Sequence, residues 1–160
     1  MAQNKENKPR VTEIRNKKAA HDYFIGETFE AGIALTGTEV KSMRNAKAQI
    51  QDAFVRIDRG QAYLYNAHIS EYDFGNINNH NPTRERKLLL HKSEILKIAS
   101  EVEKKKAAVI PLKMYFKKGL VKVQIAICKG KKLYDKRQDL KEAEAMRDAQ
   151  RLVSLRRYYK

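Results

Sequence analysis

The 160-residue chain has a single cysteine, Cys128, and no tryptophan. One thiol forms no internal disulfide, so the fold must stand on packing alone, and such usage fits a reducing cytoplasm. Long apolar runs are missing too. A membrane-spanning helix needs about 18 apolar residues, whereas "LVKVQIAIC" is short and carries Lys122. The opening "MAQNKENKPR" holds no apolar segment, so no secretory signal is expected. Without tryptophan, and with sparse apolar faces, a basic amphipathic helix lying on a membrane is disfavoured. The expectation is a cytoplasmic protein with no membrane partner.

Catalytic and metal-binding spacings are equally scarce. His21, His68, His80 and His91 have no neighbours suited to a metal site, and neither CxxC nor HxxEH occurs. Cys128 closes an apolar run and reads as a small buried hydrophobe rather than a nucleophile. Gly130-Lys131-Lys132 lacks the glycine-rich approach and the hydroxyl residue of a phosphate-cradling loop. Asp22, Asp52 and Asp135 are isolated carboxylates on a basic chain, more suited to pairing with a neighbouring cation than to acid–base work. The residues argue for binding, with no catalytic residues, metal or cofactor expected.

Acidic residues are the third shortage. Lys and Arg number 34 against 19 Asp and Glu, a formal charge of +15. That excess costs self-repulsion unless a polyanion shares the surface, so nucleic acid is the expected partner. No helix-turn-helix or zinc finger is present, so DNA reading in the major groove lacks its usual tools. RNA is expected, and DNA is not.

What is there is organised in three parts. Residues 1–20 are polar and read as a basic arm. Residues 21–130 carry strand-like alternation, and the apolar content falls over 131–160, a basic tail with a thin helical stripe, expected to be disordered when free. Within the middle part, Phe29, Ala31, Ile33 and Leu35 alternate as a half-buried strand does. Thr36 and Glu39 in "TGTE" can form a capping box before a short helix carrying Val40 and Met43. "AFVRI" and "QAYLYNAHI" flank Asp58-Arg59-Gly60, a hairpin signal. Tyr63, Tyr65, Ala67 and Ile69 should then share one face, with Leu64, Asn66 and His68 on the other.

The Asn- and Gly-rich segment at 72–86 reads as a long loop, followed by a strand in "KLLL" and a helix from Ser93 carrying Ile95, Ile98, Ala99 and Val102. A last hairpin turns at Lys117-Lys118-Gly119. Its first strand should aim Leu112, Met114 and Phe116 one way and Lys113, Tyr115 and Lys117 the other. About six strands, hairpin-connected and interrupted by two or three helices, predict a mainly β fold, a small antiparallel barrel. Lys113, Tyr115, Lys117 and Lys122 supply a cationic face with an aromatic among them, the composition that grips RNA strands.

Several long stretches carry a family resemblance: "NKKAAHDYFIGETFEAGIALTGTEVKSMR", "NAHISEY", "NHNPTRERKLLLHK", "PLKMYFKKGLVKV" and "KGKKLYDKR". Together they span residues 16–137, and the chain closely resembles the SsrA-binding protein (small protein B) family of bacterial trans-translation. The resemblance implies an oligonucleotide-binding-like barrel that grips the tRNA-like domain of transfer-messenger RNA (SsrA RNA) and delivers it to stalled ribosomes. The motif positions for that grip are Glu30, Arg44, Leu89 and His91. Leu89 is either an apolar platform for an unstacked base or core packing. Glu30 is either an acceptor for base amino groups or a plain surface charge. Ala46 stands where relatives commonly have Gly, which puts the local turn in question.

The resemblance further implies that Gly130, Lys131, Lys132, Tyr134, Asp135, Lys136 and Arg137 meet the decoding centre of the small ribosomal subunit. The tail beyond becomes helical in the empty messenger channel. Elongation factor Tu with GTP is the implied co-carrier, and alanyl-tRNA synthetase acts indirectly by charging the RNA. The alternatives are a structural RNA-binding protein that stays associated with ribosomes and a basic RNA-processing enzyme.

Overall fold

The computed structural model describes residues 12–158. The lysines and arginine at positions 5, 8 and 10 of the expected arm lie outside the described residues. The fold is mainly β. Among the described residues there are nine strands: β1 (Glu13–Arg15), β2 (Tyr23–Ile33), β3 (Ala48–Gln49), β4 (Phe54–Asp58), β5 (Gln61–Tyr65), β6 (His68–Ile69), β7 (Arg86–Leu89), β8 (Ala108–Lys117) and β9 (Leu120–Gly130). Four helices accompany them: α1 (Ala19–Asp22), α2 (Gly37–Arg44), α3 (Lys92–Lys105) and α4 (Leu133–Tyr158).

Seven strands form one antiparallel sheet in the order β1-β8-β4-β5-β7-β2-β9, and β8 also pairs with β9. The pairings of β8, β4, β5, β7, β2 and β9 therefore run in a ring, while β1 lies on β8 beyond the point where β4 leaves it. The β4–β8 link is a single pair, Val55 opposite Val109. Inward residues make the core: Phe29, Ala31, Val55, Leu64, Leu88, Met114, Val123 and Ile125, closed by Met43 from α2 and Ile98 from α3. No helix among the described residues is long and apolar enough to cross a membrane.

Both expected hairpin turns form. Arg59 and Gly60 have φ of 47° and 73°, and Lys118 and Gly119 have 50° and 77°, the left-handed pairs that match strand twist. Three differences from the sequence reading have local causes. Glu13–Arg15 pairs with β8, and the Asn16 side chain donates to Ile50 O and Pro111 O at 3.2 and 3.0 Å, so the folded body starts well before His21. Asn66 at φ 56° breaks the alternation, so Ala62 and Leu64 face inward before it and Ala67 and Ile69 after it, leaving Tyr63 and Tyr65 outside. A register shift between Pro111 and Lys113 turns Leu112 away from Met114, onto a small cluster with Ala19, Ile110, Ala126 and Cys128. Ala46 holds φ 56°, a conformation that a glycine takes without a Cβ penalty.

The capping box of α2 forms, with the Thr36 N–H donating to Glu39 at 2.8 Å. Glu39 does more. Its carboxylate is fully buried and accepts from Arg84 Nε and Nη2 at 2.8 and 2.6 Å and from Arg86 Nε at 2.8 Å. Arg86, also fully buried, donates onward to the carbonyls of Ala67, Pro82 and Arg84 at 2.7, 2.9 and 3.0 Å. Burial pushes the Glu39 carboxyl up, but Arg84, the Thr36 N–H and Arg86 outweigh it and hold the group below the usual carboxylate range. Its contribution to stability is therefore complete above the unfolded value of about 4.3 and is lost as pH falls through the lower folded value. Glu39→Gln should leave Arg86 buried without a counter-charge and cost about 3–5 kcal/mol in a urea titration at pH 7. Glu101→Gln, which opens the i,i+4 pair with Lys105 at the solvent boundary, should leave the unfolding midpoint almost unchanged.

Candidate nucleic-acid interface

Strand register places the expected residues together. Leu89 on β7 lies opposite Gly32 on β2, Gly32 opposite Lys122 on β9, Lys122 opposite Tyr115 on β8, and Tyr115 opposite Glu13 on β1. One step along, Glu30 lies opposite Gln124, Gln124 opposite Lys113, and Lys113 opposite Arg15. Residues two apart on a strand share a face, so both rows point outward over β7, β2, β9, β8 and β1. Lys117 extends the same face. Glu30, Leu89, Lys113 and Lys122 are thus brought onto one surface.

Glu30 sits at its centre and is not a free surface charge. Its carboxylate accepts from the Tyr115 hydroxyl and from Lys117 Nζ at 3.0 and 3.3 Å. The Tyr115 hydrogen bond, then Lys117, hold the Glu30 carboxyl below its ordinary range. Partial burial and the bond to Glu30 push the Tyr115 hydroxyl up to about 12, so it stays a donor. Lys113 Nζ lies 5.1 Å from the centroid of the Tyr115 ring and 3.3 Å from Glu13. A carboxylate offers about four acceptor sites, so Glu30 retains capacity for a base amino group while its neighbours fix its direction. Lys122, partly exposed beside it, makes no side-chain hydrogen bond or ion pair among the described residues.

Leu89 is 56% exposed, whereas Leu88 is buried in the core. Its side chain lies over Gly32: a Cβ on Gly32 would sit 3.1 Å from Leu89 Cβ and 3.4 Å from Cδ1. The glycine leaves room for the leucine to lie against the strand, an exposed apolar platform beside Lys122. His91 occupies the N-cap position of α3, where its N–H donates to Glu94 at 2.9 Å and its side chain is exposed. Arg44 ends α2, and its carbonyl accepts from Thr12 at 3.2 Å, beside the start of β1. No hydrogen bond among the described residues draws Arg44 or His91 into the Glu30 cluster. Gly32, Gln124 and Glu13 escaped the sequence reading, because strand register carries them and no local motif marks it.

The second set divides in two. Lys131 Nζ donates to Ala20 O at 2.9 Å, pairs with Asp139 and lies 5.1 Å from the Phe24 ring centroid. Lys136 pairs with Asp22 at 3.1 Å, and Asp135 accepts from the Lys132 N–H at 3.1 Å at the start of α4. Lys131 and Lys136 fasten the base of α4 to α1, while Asp135 caps the start of α4. Lys132, Tyr134 and Arg137 point to solvent, with Tyr134 75% exposed, and none makes a side-chain hydrogen bond or ion pair among the described residues. Gly130 ends β9.

Fold and surface together define a small, strongly basic β protein with a preformed polar face and a projecting cationic helix. The chain belongs to the SmpB family: residues 13–155 match the family described as SmpB protein. It is similar to the SsrA-binding protein of Shouchella clausii, 55% identical over 142 residues that cover 89% of this chain and 91% of that one. Its likeness to the SsrA-binding protein of Geotalea uraniireducens is 58% over 133 residues, 83% and 88% of the two chains. It also resembles a chain of a solved structure described as "tmRNA-SmpB: a journey to the center of the bacterial ribosome". There the TM-score is 0.65 at 46% identity, over 76% of this chain and 86% of that one.

Leu88→Ala and Leu89→Ala should behave oppositely in urea unfolding. Loss of the buried leucine should cost about 2–5 kcal/mol, and loss of the exposed one about 0.5 kcal/mol or less. A large cost at Leu89 would return it to the core.

Proposed function

We propose that this chain is a non-enzymatic RNA-binding adaptor of trans-translation. It binds the tRNA-like domain of transfer-messenger RNA and delivers it to stalled ribosomes. The observation that carries the reading is the convergence of Glu30, Leu89, Lys113 and Lys122 on one outward face of a +15 chain in the SmpB family. In this reading the ring of paired strands is an oligonucleotide-binding-like barrel. Glu30 accepts from base amino groups, Leu89 supports an unstacked base, and the lysines meet phosphates. In the same reading Arg44 and His91 add to the RNA contact.

The body ending near Gly130 holds the RNA, and the tail over 131–160 engages the ribosome. Leu140, Met146 and Val153 are exposed along α4, and a lone helix of this kind is marginal in water. The messenger channel of the small subunit would order it. Lys132 and Arg137 suit phosphates of the decoding centre and Tyr134 suits stacking on a base, with Gly130, Lys131, Asp135 and Lys136 setting the direction of departure. The co-carrier is elongation factor Tu with GTP, alanyl-tRNA synthetase charges the RNA, and the work takes place in the cytoplasm.

A chain ending at Gly130 should still bind the tRNA-like domain but fail to support peptide tagging in a purified translation system. Full tagging by the truncated protein would reduce α4 to a solvated charge run. Loss of RNA binding would place the boundary elsewhere. Constant stoichiometry on all ribosomes, rather than travel with one small RNA, would favour a permanent ribosome-associated protein.

A further inference from the structure

The outward face does not end at β7. Val55, Ala62, Leu64 and Leu88 are buried, so their neighbours Phe54, Arg56, Tyr63, Tyr65, Lys87 and Leu89 point the other way. Register sets Arg56 opposite Tyr63 and Tyr63 opposite Lys87, a phenol between two cations across β4, β5 and β7. Beside this row the Phe54 and Tyr65 rings stack at 5.4 Å between centroids and 10° between planes. The Arg56 guanidinium lies 6.0 Å from the Tyr65 ring centroid. Lys87 and Leu89 are two residues apart on one strand, so the row adjoins the apolar platform without a break.

Phe54 packs on the small cluster around Ile110 and Cys128, which leaves Tyr63, Arg56 and Lys87 as the groups that could meet a ligand. Arg56 and Lys87 are exposed, and neither they nor the Tyr63 hydroxyl make a side-chain hydrogen bond or ion pair among the described residues. A nucleotide matches the spacing. Its base has a face to lay on an aromatic ring, and its phosphate would fall one strand over, about 4.8 Å away, on Arg56 or Lys87. Asp58 and Glu85 border the row and would repel a phosphate at its rim, which confines the anion to those two cations. An apolar protein partner fits less well, because it would strip water from both cations without compensating either.

We propose that the β4–β5–β7 face is a second part of the RNA-contact surface, holding one unpaired nucleotide with its base on Tyr63 and its phosphate on Arg56 or Lys87. The inference rests on the RNA-binding reading above and extends it around the ring.

The test is titration of full-length protein with a transcribed tRNA-like domain of transfer-messenger RNA over a range of salt. Wild type, Leu89→Ala, Tyr63→Ala, Tyr63→Phe, Tyr63→Leu and the double variant Arg56→Ala/Lys87→Ala are compared, each checked by thermal melting. Tyr63→Ala should weaken binding about 5- to 150-fold, and Tyr63→Phe should stay within about 2-fold because only the ring is needed. The double variant should flatten the slope of log K against log salt by about 1–2. If Tyr63→Ala fails to fold, Tyr63→Leu, which keeps apolar bulk without the ring, should show the same loss. Wild-type affinity in the Tyr63 and double variants, with Leu89→Ala impaired, would overturn this inference and leave the broader reading standing. Absence of wild-type binding would remove both. Unchanged RNA affinity with lost ribosome association in Tyr63→Ala would assign the patch to a protein and overturn the proposal as well.

Discussion

The buried pair of Glu39 and Arg86 organises more of this molecule than any other contact. Glu39 stands in the first turn of α2 and Arg86 opens β7, 47 residues later. Between them, Arg86 gathers the carbonyls of Ala67 and Pro82, and His80 is held to Ile69 O at 2.9 Å. A long Asn-rich loop is thereby tied to the core at both ends. Two charges out of water would each cost several kcal/mol if unpaired. Here the guanidinium makes four hydrogen bonds, one to Glu39 and three to backbone carbonyls, so the arrangement is specific as well as tolerable. Its consequence is positional: it delivers β7 with Leu88 inward and with Lys87 and Leu89 on the outward face.

The face itself follows from period-two geometry acting across a ring of antiparallel strands. Each strand spends one side on the core, and the other sides line up by register into rows that no single strand contains. Glu30 acquires its character in this way. Tyr115 and Lys117 come from another strand, and together they keep its carboxylate ionised and aimed. Gly32, lacking a Cβ, lets Leu89 lie flat beside Lys122. α1, by contrast, fastens α4 through Lys131 and Lys136, so the helix leaves the body in a set direction with Lys132, Tyr134 and Arg137 turned outward.

Much of this was legible in the sequence, for reasons that can be named. The Thr36–Glu39 capping box, both left-handed hairpin turns, the outward Lys113–Tyr115–Lys117 alternation and the burial of Cys128 are local, and local rules reach them. The faces of Tyr63 and Leu112 were not legible, because a positive φ at Asn66 and a register shift after Pro111 each invert the alternation without marking the pattern. β1, β3 and β6 are two or three residues long, too short to show any period. Glu39 was read as a cap, and its partnership with Arg86 is a long-range pairing that composition cannot announce. The family resemblance pointed to Glu30 and Leu89 and the alternation to Lys113 and Lys122, but their assembly into one surface depends on register across four strands, which neither carries.

The central claim is that this outward strand face, and not the projecting helix, recognises the RNA. Backbone amide shifts of isotope-labelled full-length protein, followed by NMR while the tRNA-like domain is added, test it most directly. The account predicts the largest changes at Glu30, Leu89, Lys113, Tyr115 and Lys122, with residues beyond Lys141 in α4 little affected. Changes concentrated in α4, with the amides of β2, β7, β8 and β9 undisturbed, would contradict it.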